Sequence, residues 1–173
     1  DRLCFASTLY RPQTVWRSVV GDYENFLAAA EDADSSDEYT IMSGLFDKIN
    51  WLSTQDALII GTSGGIWKLG GSSSGEPLSL TNVSAKKQVT LGVKNINPAI
   101  VSDALLWVTR SGKSLRKLVY QFDVDKWVSP DMTRIALHIT KGDTFSLSGI
   151  REIAFQDEPI PILWALRMDG QLL

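Results

Sequence analysis

The sequence predicts an all-β fold with little helix, a β-propeller-like run of about three to four blades of antiparallel strands. Three observations carry this expectation. β-Branched and aromatic residues alternate along short segments bounded by Gly, Ser and Asn turns, as half-buried strands require. A unit of apolar strand, polar turn and second strand recurs along the chain. Segments of helical composition are few.

The recurring unit is clearest at residues 56–69, where Leu58-Ile59-Ile60 leads through Gly61-Thr62-Ser63-Gly64-Gly65 into Ile66-Trp67-Lys68-Leu69. Residues 103–118 repeat the order around Gly112, and residues 161–173 repeat it around Asp169-Gly170. A looser copy opens the chain, with residues 3–7 and 14–19 as strands and 9–12 as the turn. In register, Trp16, Trp67, Leu115 and Leu172 stand 51, 48 and 57 residues apart. A four-stranded blade occupies roughly 40 to 50 residues, so this spacing suits one blade per repeat. A further strand precedes each later hairpin, at 48–52, 99–101 and 150–155, with an innermost or outermost partner expected at 39–42, 88–91 and 134–139. The approximate blades are 1–30, 39–71, 86–128 and 132–173, all within one domain spanning 1–173. Helix is expected only at 23–33 and 131–138, and 70–77 reads as a flexible connection between blades. Both ends look cut inside a unit, so a piece of a longer protein is expected.

Composition narrows the function classes. With 44% apolar and 21% charged residues the chain can bury a core. A net charge of −3 provides no general attraction for nucleic acid or anionic membrane. Cys4 is the only cysteine, which rules out an internal disulfide, and no apolar run approaches the roughly 20 residues of a membrane-spanning helix.

Each chemical motif has a simpler structural reading. Gly61-Thr62-Ser63-Gly64-Gly65 matches the nucleophile elbow formally, but that motif needs a helix after the serine, and a strand follows here. Ser111-Gly112-Lys113-Ser114 resembles the end of a phosphate loop, but Trp107 stands where its first glycine belongs. The carboxylates from Glu31 to Glu38 lack the glycine of a calcium loop, since Asp37 occupies that place. Asp123/Asp125 and Asp157/Glu158 read as turn residues, and His138 alone cannot build a zinc site. The six tryptophans suit blade packing, with stacking on sugars as the alternative use. No catalytic, cofactor-binding or metal-ligating residue is assigned. The chain is expected not to be an enzyme and to need no cofactor or small-molecule substrate.

The segments Asp1-Arg2-Leu3-Cys4-Phe5-Ala6-Ser7-Thr8, Arg11-Pro12-Gln13-Thr14-Val15-Trp16-Arg17-Ser18 and Gly21-Asp22-Tyr23-Glu24-Asn25-Phe26 resemble a stretch of bacteriophage and prophage tail proteins. The resemblance continues at Ile49-Asn50-Trp51-Leu52, Ile96-Asn97-Pro98, Gln156-Asp157-Glu158-Pro159 and residues 163–170. The family is the tail nozzle, or tail tubular, protein of short-tailed phages. The resemblance implies a propeller-like domain and a structural role in the virion tail. Copies would self-associate into a ring with other tail proteins around the DNA exit channel, without membrane contact. It brings no catalytic residues. This chain departs from the family pattern at Ser7, where the pattern has glycine. Lys86, Lys87, Lys113, Arg116 and Lys117 are candidates for weak, sequence-independent DNA contact in such a channel, and solvated hairpin faces are their ordinary use. The competing reading is a carbohydrate-binding or glycan-processing propeller.

Overall fold

The structure is a computed structural model that describes residues 1–27, 34–43, 46–55, 57–71, 82–142 and 147–173. Among the described residues thirteen strands form four separate antiparallel sheets, and the helical content is limited to short 3₁₀ turns such as Phe122–Val124 and Leu137–Thr140. The all-β expectation with little helix therefore holds. Every sheet is a meander in which sequence neighbours pair, by short turns in most cases and by longer connections between β2 and β3 and between β6 and β7. The chain divides into two compact units, Asp1–Lys87 and Gln88–Leu173.

In the first unit, β1 (Cys4–Ala6), β2 (Thr14–Arg17) and β3 (Asp37–Thr40) form one sheet. A second sheet contains β4 (Ile49–Thr54), β5 (Leu58–Thr62), β6 (Gly65–Gly71) and β7 (Val83–Val89). The alternation of side chains along each strand supplies one apolar face per sheet. Val15, Ile41, Ile49, Leu58, Ile60 and Leu69 form the core where these two faces meet, joined by Cys4, Ala6, Tyr39 and Val83. All five residues of β5 are buried, so this strand is covered on both faces.

The second unit contains β8 (Ala99–Val101), β9 (Ala104–Val108), β10 (Leu115–Gln121) and β11 (Lys126–Val128) in one sheet. The other sheet pairs β12 (Ile150–Gln156) with β13 (Ile162–Arg167). Their core is Ile96, Val108, Leu115, Ile150, Ile153 and Ala165. After the turn at Asp169 and Gly170, Leu172 bridges back to Leu166 and Leu173 exchanges both backbone hydrogen bonds with Ala165. The predicted hairpin is thus present, with a short second arm.

The hairpins fall where the repeat places them, but the outer strands are grouped differently. Of residues 39–42, expected in the second blade, Tyr39 and Thr40 end β3 at the edge of the first sheet, where Asp37 lies opposite Arg17 and Thr40 opposite Thr14, and Ile41 and Met42 follow outside the strand. Residues 88–91, expected in the third blade, overlap the end of β7, which lies beside β6. Val83 and Ala85 pack on the first core there, and the Lys87 ammonium sits 5.5 Å over the Trp67 ring. The boundaries at 39–71 and 86–128 shift accordingly. Residues 134–139 do not form a strand, and no α-helix forms over 131–138. Thr133 accepts from Ala136 N–H at 3.0 Å and turns the chain, so only a 3₁₀ turn follows. Residues 23–27 are not helical either: Asn25 accepts from Val19 N–H through its backbone and from Leu27 N–H through its side chain. The rest of that predicted helix, 28–33, lies outside the described residues, as do 72–77 of the predicted connection. Gly70 and Gly71 end β6, so the connection joins two strands of one sheet rather than two blades.

Candidate functional site

The Gly61 to Gly65 motif is a hairpin turn. Ser63 and Gly64 link β5 to β6, whose terminal residues Thr62 and Gly65 are cross-strand partners. Thr62 Oγ1 donates to Gly65 O at 2.8 Å and closes the turn, while Ser63 N–H donates to Lys48 O at 2.9 Å. Crowding explains the glycines. A Cβ at Gly61 would overlap the indole of Trp51, its cross-strand partner, and a Cβ at Gly64 would overlap the Asp47 carboxylate. Strand, not helix, follows Ser63, so the geometry of a nucleophile elbow is not formed.

The loop of residues 109–114 is likewise a hairpin. Gly112 adopts φ +76°, its N–H donates to Thr109 O at 2.7 Å, and its carbonyl accepts from Ile150 N–H at 2.8 Å. That carbonyl faces β12, where a phosphate cradle would present N–H groups.

The carboxylates serve as structural partners. Asp37 receives two hydrogen bonds from the buried Arg17 guanidinium, one of them from Nε at 2.6 Å. Glu38 takes a two-point bond from Arg11 and a third hydrogen bond from Trp16 Nε1 at 3.1 Å. The Arg11 hydrogen bond, more than any other influence, holds the Glu38 carboxyl below its ordinary range. Glu31 and Asp32 lie outside the described residues. Asp125, in a left-handed conformation, accepts from Tyr120 OH, which raises the tyrosine pKa. Asp157 and Glu158 are exposed in the loop between β12 and β13. Among the described residues no three His, Cys, Asp or Glu side chains are grouped to hold a metal ion.

Trp51 and Trp107 are buried, which removes them as sugar platforms. Trp164 is partly exposed, and its indole N–H donates to Gln156 Oε1 at 3.1 Å, a bond in the ring plane that leaves the ring face available for stacking. The basic candidates fall in both units. Lys86 and Lys87 are exposed but adjacent on β7, so their side chains leave opposite faces. Arg116 donates to Ser129 O at 3.0 Å and stands 3.6 Å from the Asp131 carboxylate, and Lys117 is its strand neighbour.

The opening segments that carry the family resemblance build the first sheet, while the later ones fall in β4, before β8, at the end of β12 and along β13. Arg2 donates to Ser18 O and Ser35 O, tying the chain start to the strand ends. On the core side, Cys4 lies opposite Arg17, and burial pushes its thiol pKa up. On the outer side, Phe5 lies opposite Trp16 and contacts the Phe26 ring at 5.5 Å between centroids. Leu9 and Tyr10 stand exposed in the β1–β2 loop, and Phe5 is 55% exposed. Sequence reasoning missed this apolar outer face, because an alternating strand does not declare which face meets a core. Compared with family models and with curated proteins, the chain matches none.

Proposed function

We propose that this chain is a structural component of a bacteriophage or prophage tail, part of the nozzle or tail tube through which DNA leaves the virion. The observation that carries the reading is the opening signature from Arg2 to Phe26. Its residues build one connected device: a hairpin of β1 and β2 closed by the Ser7 N–H to Thr14 O bond, tied at its base by Arg2, joined to β3 through Arg17 and Asp37, and faced by Phe5, Trp16 and Phe26. Such a device supplies a rigid element with an apolar outer face, which is what a copy-to-copy contact in a ring requires. Meander sheets of blade-like order are the other support, since propeller blades project their loops from a stiff frame. In this role the protein acts by assembly, within the tail and beside other tail proteins, and touches DNA only weakly and without regard to sequence.

The test is genomic and physical. The coding segment should lie beside genes for portal and adaptor proteins, and antibodies against the chain should label tails of purified virions. A locus of metabolic or glycan-degrading genes, together with unlabelled virions, overturns the role.

A further inference from the structure

The loop after β11 presents Met132, Ile135 and Leu137 at 55, 99 and 66% exposure. It is also firmly held. Asp131 accepts from Ser114 Oγ and, at 2.9 Å each, from the backbone N–H and hydroxyl of Thr133. The buried Thr133 hydroxyl in turn accepts from Leu115 N–H at 3.3 Å, while Met132 N–H donates to Leu115 O at 2.9 Å. Large apolar side chains on a fixed frame lose little freedom on docking, so binding through them is strengthened.

Charge decides what this loop fits. Arg134 and Lys141 are exposed, and residues 132–142 contain no Asp or Glu. The whole chain carries −3, so its surface elsewhere is net acidic. The outer face of the first sheet has the matching character: exposed Phe5 contacts exposed Phe26 there, and the short segment leading to Phe26 carries exposed Tyr23 and the exposed carboxylates of Asp22 and Glu24. We propose that the loop at residues 131–137 of one copy docks on the face around Phe5 and Phe26 of a second copy, with Arg134 and Lys141 meeting Asp22 and Glu24. A knob and a seat on different surfaces make a heterologous contact, which closes into a ring or continues as a filament. The inference deepens the proposed tail role and takes its biological use from that reading, although its chemistry does not depend on the virion.

Sedimentation velocity on the whole chain tests it. The wild type should associate, and higher salt should weaken the association as the screening length falls from about 8 Å near physiological strength to about 3 Å at 1 M. Ile135→Asp alters a side chain that makes no core contact, so it should keep the circular dichroism of the wild type and raise the dissociation constant at least about tenfold. Arg134→Glu should weaken association a few-fold, and adding Glu24→Arg should restore it. The proposal is overturned by a monomer at about 100 μM, by Ile135→Asp associating like the wild type, or by failure of the charge exchange to rescue. A monomer that instead cosediments with anionic phospholipid vesicles also overturns it. Association of the expected kind from a gene remote from any portal keeps this interface and removes the tail role, while the reverse result does the opposite.

Discussion

At the scale of single residues, two features of the first sheet have measurable consequences. Ser7 adopts φ +63°, the left-handed region that favours glycine, and its buried hydroxyl has no hydrogen-bond partner. This is the position at which the sequence departs from the glycine of the family pattern. Ser7→Gly should therefore stabilise the protein by about 1 kcal/mol, read as a higher urea midpoint at unchanged slope. Arg17 and Asp37 form a buried two-point ion pair whose charges have little access to water. Asp37→Asn leaves the guanidinium uncompensated and should cost about 3–5 kcal/mol, whereas the double variant Arg17→Met with Asp37→Leu should recover most of that loss. Both values come from chemical denaturation. Sequence shows the serine and the two charges but not their conformations: φ is set by how the loop closes, through the Ser7 N–H to Thr14 O bond, and the pair exists only because β3 adds to β2.

At the scale of elements, hairpins were legible and outer strands were not. The turns at Ser63-Gly64 and Asp169-Gly170 join residues close in sequence, so local chemistry specifies them. Placement of β3 and β7 depends on partners many residues away, an ion pair for one and a Lys87–Trp67 stack for the other. The anchored loop after β11 shows the same dependence and makes its stability sensitive to pH. Burial alone would raise the Asp131 pKa. Hydrogen bonds from Ser114 and from Thr133, with the Arg116 charge, outweigh that effect and hold it below the ordinary value of 3.8. Since the folded value is the lower one, the stabilisation is complete above the unfolded range and disappears as pH falls through the folded value. The urea midpoint should therefore fall as pH drops below about 4, and Asp131→Ala should flatten part of that decline, measured in a pH series.

For the whole molecule, composition predicts solution behaviour while tertiary structure decides which surfaces take part. With a sequence pI near 5.1, repulsion between copies vanishes near that pH, so light scattering should rise to a maximum there and fall again toward pH 7. A curve flat across that range would show that charge repulsion does not keep copies apart. The sequence by itself determined the all-β class, the four hairpins and the structural use of the apparent nucleophile elbow, because each rests on residue alternation and turn chemistry within a few positions. Only the tertiary structure decided that Gly61 and Gly64 yield to Trp51 and Asp47, that Asp37 belongs to Arg17, and that Phe5 and Ile135 face outward while Val15 and Ile153 face inward. An alternating strand offers two faces of similar make-up, and the sheet packed against one of them determines which becomes core and which remains surface.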